Sequence, residues 1–250
     1  MSPPPGRPQE GALPPGGKAR SARVAPANRA PPATLELNKA HWPVTVLGPG
    51  RRIGLWVQGC TIHCRGCVSR DTWPRDPATA IEVATLLDWC RRVAPEGPAG
   101  ITISGGEPFE QPAGLRALLE GLGRWRHDAR LDFDVLCYSG YPLGRLQRVH
   151  APLLALLDAI IPEPYVEASP LANVWRGSGN QPLVPLSARG RERYAAHVDA
   201  AAEGAGKRMQ VAVEGGRVWM IGIPARGDMA RVETLCAERG LALENVSWRR

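Results

Sequence analysis

The stretch Ile53–Cys67, which reads IGLWVQGCTIHCRGC, joins a strand pattern directly to a group of cysteines. Ile53, Leu55 and Val57 alternate along the chain, as residues on one face of a β-strand do. This strand runs into Gly59 and the cysteines that follow it. In open α/β sheets and barrels, the loops at the carboxyl ends of strands carry the chemistry. The stretch therefore predicts a functional loop after the first strand of an α/β domain.

Short strand patterns alternate with amphipathic helical patterns beyond this loop, which is typical of helices packed over a mainly parallel sheet. Thr79 and Glu82 have the spacing of a capping box and predict a helix over residues 80–93, with Cys90 in its buried stripe. Further strands are predicted at 100–104, 133–138 and 159–161, with a helix between the first two whose inward face is Leu115, Leu118, Leu119 and Leu122.

The carboxyl-terminal third of the chain is predicted to begin with a long loop at 162–186 and a helix over about 188–203 that is capped by Ser187. A hairpin of 209–213 and 218–221 is predicted to close the far edge of the sheet. A last helix is predicted to be capped by Asp228, with Val232, Leu235 and Cys236 inward.

Composition divides the chain into a tail and a globular part. Residues 1–34 hold nine of the 25 prolines, carry no apolar periodicity and predict a disordered tail. Residues 35–224 form the predicted core domain, and residues 225–250 a C-terminal helix packed on it. Much of the net charge of +7 comes from the tail. Its arginines lack interleaved aromatic residues, so we expect no nucleic-acid partner. No apolar run approaches a membrane span of about 20 residues and no secretory signal is present, which predicts a cytoplasmic protein.

Six cysteines in a reducing compartment favour metal ligation or isolated core thiols over disulfides. Cys60, Cys64 and Cys67 lie within eight residues, whereas the others stand alone in separate elements. Three thiolates on one loop can hold three corners of a cubane cluster and leave the fourth iron open. A zinc site with His63 as its fourth ligand is the alternative, although adjacent His63 and Cys64 point in different directions from a short loop.

A second motif, Gly105-Gly106-Glu107-Pro108, ends the next predicted strand. Glycines allow a close backbone approach to a ligand, and Glu107 offers a carboxylate to a ligand ammonium group. Without the cysteines, the same sequence would be an ordinary strand-to-helix turn. Its position after a neighbouring strand predicts that it shares an edge of the sheet with the cysteine loop.

The CxxxCxxC loop followed by the GGEP motif resembles the radical S-adenosylmethionine superfamily. The resemblance implies a partial (β/α)6 barrel and a [4Fe-4S] cluster held by Cys60, Cys64 and Cys67. It also implies that the open iron is chelated by the amino and carboxylate groups of S-adenosylmethionine. The cofactor contacts implied in this sequence are Gly66, Gly105, Gly106, Glu107 and Ser139.

Within the superfamily, the chain is most similar to the activating proteins of anaerobic ribonucleotide reductase. The similarity lies in the cysteine loop and in the segments Gly48–Arg51, Tyr138–Tyr141 and Trp175–Gln181. It implies reductive cleavage of S-adenosylmethionine to a 5'-deoxyadenosyl radical, which takes a hydrogen atom from a glycine of a partner glycyl-radical enzyme. An electron donor such as flavodoxin or ferredoxin is implied as well.

Pro162-Glu163-Pro164 stands where the activating proteins usually carry an Asp-Gly pair, and this departure keeps other hypotheses open. The first is direct radical modification of a peptide or a small molecule. The second is a non-enzymatic iron-sulfur or zinc interaction module. Arg176 and Asn180 in the long loop are candidate polar contacts at the barrel mouth, or residues that brace the loop.

Overall fold

The computed structural model describes residues 32–169, 173–202, 208–214, 217–244 and 246–249. The predicted tail at 1–34 lies outside these residues except for its last three. The strands are β1 (Thr34–Val44), β2 (Arg52–Val57), β3 (Ala80–Glu82), β4 (Gly100–Gly105), β5 (Asp134–Tyr138), β6 (Ala159–Ile161), β7 (Val184–Pro185), β8 (Met209–Glu214) and β9 (Arg217–Gly222). The helices are α1 (Val83–Val93), α2 (Pro112–Asp128), α3 (Leu143–Val149), α4 (Ala151–Leu154), α5 (Ala188–Tyr194) and α6 (Asp228–Glu238).

The central sheet of the described residues has seven strands in the order β3-β1-β2-β4-β5-β6-β7. Strands β2, β4, β5 and β6 run parallel, and the strands at both edges run antiparallel to their neighbours. Every residue of β2 is buried, as expected for a parallel strand covered on both faces. The predicted α/β class with a mainly parallel sheet is confirmed, and the strands predicted from residue 53 to residue 161 are all present.

The parallel strands place their carboxyl ends along one edge of the sheet. The cysteine loop follows β2, the GGEP motif follows β4, and the Ser139-Gly140-Tyr141 turn follows β5. Helices α1 and α2 cover one face, and Leu115, Leu118 and Leu122 of α2 are fully buried as predicted. Lone cysteines Cys90 and Cys137 are also fully buried in this part of the core.

Strand β1 was not predicted from the sequence, and it changes the start of the first helix. Residues Thr34–Glu36 of β1 pair with Ala80–Glu82, which therefore form β3 rather than a helical turn. Helix α1 begins at Val83, and the Glu82 side chain makes no capping hydrogen bond. The predicted capping box and the helix start at residue 80 are therefore wrong, because sheet pairing outweighs local capping here.

The amino-terminal ends of the parallel strands are held by a buried ion pair. Arg52 and Asp134 are both fully buried and form a two-pronged contact, with Nη2–Oδ1 at 2.7 Å and Nη1–Oδ2 at 3.0 Å. Arg52 Nε also donates to the Thr102 hydroxyl at 2.7 Å, and the Tyr194 hydroxyl donates to Asp134. This network joins β2, β4, β5 and α5 at the edge of the sheet opposite the cysteine loop.

The carboxyl-terminal part differs from the prediction in four ways. Strands β8 and β9 form a separate two-stranded sheet instead of closing the far edge, which β7 occupies. Helix α5 ends at Tyr194 rather than near residue 203. Helix α6 is capped by Gly227 in the left-handed region, not by Asp228. The predicted inward position of Leu235 is wrong, because half of that residue is exposed, and none of the residues of α6 is fully buried.

The inner face of the hairpin packs onto the start of the domain. Trp219 and Ile221 of β9 are buried against Val44, Val46 and Trp56. Within the described residues, none of the helices is both long and apolar enough to cross a membrane.

Candidate functional site

The cysteine loop leaves β2 and is closed at its base by backbone hydrogen bonds. Gly59 N–H donates to the carbonyl of Thr72 at 2.7 Å, and Cys60 N–H donates to the carbonyl of Trp73 at 2.9 Å. Gly59 and Gly66 have φ values of +93° and +78°, which non-glycine residues rarely adopt. The start of the loop is thus hydrogen-bonded to the residues that follow its last cysteine, which makes the loop compact.

Cys60, Cys64 and Cys67 are half-buried and all line one cavity of about 850 Å³. Burial raises the pKa of the Cys60 thiol to about 11 and also raises the pKa of the Cys64 thiol. Metal ligation requires the thiolate form, so iron binding has to displace these protons.

The cysteine loop offers three thiols as donors, and the adjacent His63 makes a contact of its own. In the part of the chain that the structure describes, no three cysteine, histidine or carboxylate side chains converge to hold one metal ion. The His63 ring is stacked on Trp73 with centroids 4.6 Å apart, and His63 is exposed. A cubane takes one ligand at each iron, so three separate thiols around a shared cavity can serve three corners.

The GGEP motif packs directly beneath the cysteine loop. A Cβ added to Gly106 would lie 2.1 Å from the carbonyl oxygen of Gly59, and one on Gly105 would lie 2.6 Å from the backbone nitrogen of Val57. Gly106 N–H donates to the carbonyl of Val57 at 2.9 Å, and Glu107 N–H donates to the carbonyl of Gly59 at 2.8 Å. Both glycines are therefore required by the contact between the two loops.

Glu107 is fully buried and accepts three hydrogen bonds from the chain itself. Oε1 accepts from Phe109 N–H at 3.0 Å and from the Ser139 hydroxyl at 2.9 Å, and Oε2 accepts from Gly140 N–H at 2.7 Å. Burial raises the pKa of Glu107 to about 7, against the lowering effect of these donors. The carboxyl group thus joins the loop after β4 to the loop after β5.

All the residues predicted to contact the cofactor line the cavity that the cysteines line. They are Gly66, Gly105, Gly106, Glu107 and Ser139. Because they come from the ends of three parallel strands, the fold brings together what the sequence separates by more than 70 positions. Arg176 and Asn180 are not among the residues that line the cavity: Arg176 donates to the carbonyl of Val198, and Asn180 Nδ2 donates to that of Pro164 at 2.9 Å.

Several parts of the cavity wall were not predicted from the sequence. Asn38 and Lys39 of the unpredicted strand β1 form part of one wall. Glu110 braces the cysteine loop, because its Oε1 accepts from Thr61 N–H at 2.9 Å. Parts of the β8–β9 hairpin and the segment after α6 line the cavity as well, and no sequence motif pointed to them.

The cysteine loop, the GGEP motif and the Ser139 turn all lie within residues 46–184, and this range matches the model of a family described as the 4Fe-4S single cluster domain. The chain belongs to this family. The 4Fe-4S single cluster domain covers β2 to the start of β7 and stops before the β8–β9 hairpin and α6.

The chain is also similar to proteins that are named as activating proteins. The chain is 30% identical over 138 residues to the anaerobic ribonucleoside-triphosphate reductase-activating protein of Enterobacteria phage T4, covering 55% of this chain and 86% of the phage protein. It is 30% identical over 150 residues to the protein of the same name from Vibrio cholerae, covering 56% and 92%. The crystal structure of QueE from Escherichia coli has 16% identity and a TM-score of 0.37, covering 64% of this chain and 67% of QueE. That similarity is too distant to add to the assignment.

Proposed function

We propose that this protein is a radical S-adenosylmethionine activating enzyme that removes a hydrogen atom from a glycine of a partner glycyl-radical enzyme. One observation carries the proposal: the three cysteine thiols of a 4Fe-4S single cluster domain and the five predicted cofactor contacts line a single cavity. The names of the relatives indicate an anaerobic ribonucleoside-triphosphate reductase as the class of partner.

Cys60, Cys64 and Cys67 would hold three irons of a [4Fe-4S] cluster, and the fourth iron would be open to S-adenosylmethionine. When bound and reduced, the cluster supplies the electron that splits S-adenosylmethionine into methionine and a 5'-deoxyadenosyl radical. The chain provides the ligands and the surrounding walls. Because its three thiols are half-buried and line the cavity, a cluster held by them would lie within the cavity.

The GGEP loop would position the methionyl end of the cofactor. Gly106 and Glu107 are fixed to the base of the cysteine loop by backbone hydrogen bonds. A ligand bound to one of the two loops would therefore keep a fixed position relative to the other loop. The Glu107 carboxyl is buried and accepts hydrogen bonds from Phe109, Ser139 and Gly140, so it would set the shape of this wall. Such a rigid support keeps reacting atoms in place.

The reaction requires a reducing environment and a donor of single electrons, for which a flavodoxin or ferredoxin is suited. Clustered free cysteines and the oxygen sensitivity of such a cluster fit the cytoplasm. A polypeptide partner has to reach the cavity from outside, and the cysteine loop, the β8–β9 hairpin and the segment after α6 all line this cavity.

Anaerobic reconstitution with iron and sulfide tests the proposal. With dithionite and S-adenosylmethionine, the wild-type protein is expected to form 5'-deoxyadenosine, and Cys64→Ala is expected to form none. Cys137→Ala is the matched control, because Cys137 is a buried core residue of β5. Addition of the glycyl-radical subunit should produce an electron paramagnetic resonance doublet of a glycyl radical.

Each negative result points to a different conclusion. Formation of 5'-deoxyadenosine without any glycyl radical would favour direct modification of another substrate. Absence of 5'-deoxyadenosine from a fully loaded wild-type protein would refute the enzymatic proposal altogether.

A further inference from the structure

The methionines of this chain are concentrated at one place. The sequence has four, and the three that follow Met1 are Met209 on β8, Met220 on β9 and Met229 on α6. All three line the cavity that contains the cysteine loop. We call them the methionine wall. Methionine side chains are flexible and polarisable, and they are common on surfaces that accept varied apolar groups.

The methionine wall continues onto an exposed apolar face of the hairpin. Val211 pairs with Met220 and Val213 pairs with Val218, so these side chains share the face that carries Met209. Val211, Val213 and Val218 are 64%, 73% and 48% exposed. The opposite face is the one buried on the domain. A contiguous exposed apolar face beside a cavity indicates an interaction site.

The segment around Ser247 binds the stretch of chain that follows the cysteine loop. Backbone N–H groups of Arg70 and Asp71 donate to the carbonyl of Ser247 at 2.8 and 3.3 Å, and the Ser247 hydroxyl donates to the carbonyl of Val68 at 2.9 Å. The segment around Ser247 also lines the cavity. These main-chain groups beside the cysteine loop are therefore paired with the chain's own C-terminal segment, whereas Val211, Val213 and Val218 of the hairpin are exposed.

These features favour a polypeptide as the occupant. A small substrate would be enclosed by the cavity and would not need an apolar face that extends beyond it. The wall also lies outside the 4Fe-4S single cluster domain, which ends at residue 184, so it is added to the part that carries the chemistry.

We propose that the methionine wall and the outer face of the hairpin dock a segment of the partner protein. An apolar side chain of that segment enters between Met209, Met220 and Met229, which presents the neighbouring glycine to the cavity. This inference rests on the proposed function, because the docked segment is that of the glycyl-radical enzyme.

Two polar variants, Val211→Gln and Val213→Gln, test the inference in the reconstituted holoenzyme, because both valines lie on the outer face of the hairpin and are not among the residues that line the cavity. Without a partner, both should form 5'-deoxyadenosine at the wild-type rate. With the glycyl-radical subunit encoded in the same genome as the probe, the concentration needed for half-maximal glycyl radical should rise about tenfold, because an apolar contact is lost. Val149→Gln is the matched control, since Val149 is a 61% exposed residue of α3 that is not among those lining the cavity.

The outcomes separate this inference from the proposed function. If both valine variants reach half-maximal glycyl radical at the partner concentration that wild type needs, or if Val149→Gln shows the same rise, the docking surface is wrong while the activity stands. If wild type forms 5'-deoxyadenosine but never a glycyl radical, the proposed function fails and this inference fails with it. Photo-crosslinking from position 220, with position 149 as control, should link the segment that contains the glycine, and an adduct elsewhere would overturn the inference.

Discussion

Gly106→Ala is expected to separate the two loops that form the candidate site. The new Cβ would lie 2.1 Å from the carbonyl oxygen of Gly59, whereas ordinary contact begins near 3.4 Å. The obstacle is backbone, so it cannot be relieved by a side-chain rotation. The loops have to move apart by roughly 1 Å, which stretches the hydrogen bonds from Gly106 N–H to Val57 and from Glu107 N–H to Gly59.

The free energy of unfolding should fall by about 3–5 kcal/mol. Each weakened hydrogen bond contributes about 1 kcal/mol, and the remaining overpacking costs about 1–3 kcal/mol. Iron uptake should fall as well, because the base of the cysteine loop is displaced with its partner.

Urea unfolding of the metal-free, reduced protein measures the first effect, and iron and sulfide content after reconstitution measures the second. Gly123→Ala is the control, because nothing lies within 4 Å of its added Cβ in the middle of α2. That variant should gain about 0.5–1 kcal/mol from helix propensity. A wild-type unfolding midpoint together with full iron content in Gly106→Ala would refute the reasoning.

Other parts of the structure lead to further expectations. Arg52→Met removes the two-pronged partner of the buried Asp134 carboxylate, which keeps only Arg193 Nη1 at 3.5 Å and the Tyr194 hydroxyl, and it should cost about 3–5 kcal/mol in urea unfolding; a loss below about 1 kcal/mol would contradict this. The pKa of Glu107 is about 7 when folded and ordinarily 4.5, so between these values the folded state holds a proton that the unfolded state releases. Stability relative to Glu107→Gln should therefore fall by roughly 2–3 kcal/mol from pH 4.5 to pH 8, and a pH-independent difference would argue against it. Cys64→Ser should lose most of its iron while Cys137→Ser keeps it, and equal iron content in the two would exclude Cys64 as a ligand.

The parallel core was predictable because its signals are local. The alternation of Ile53, Leu55 and Val57 marks β2, and the leucines of α2 mark its buried face. Parallel strands bring their carboxyl ends to one edge, so the cysteine loop and the GGEP motif were expected to meet there. The cavity contains both.

The remaining parts depend on contacts between distant segments. Nothing local distinguishes Ala80–Glu82 as a strand, because its partner Thr34–Glu36 lies far back in the chain. The same holds for the β8–β9 hairpin, whose alternation predicts two strands but not which sheet they join. The role of Glu107 was equally hidden, since Ser139 and Gly140, which occupy its carboxyl group, come from another strand end.

The central claim is that one iron of the cluster has no protein ligand and binds S-adenosylmethionine. Electron-nuclear double resonance of the reduced cluster, with cofactor labelled with ¹⁵N in its methionyl amino group, tests this directly. The account predicts a resolved ¹⁵N coupling in wild type that is lost with unlabelled cofactor. A fully loaded, reduced cluster that shows no ¹⁵N coupling in the presence of saturating cofactor would contradict it.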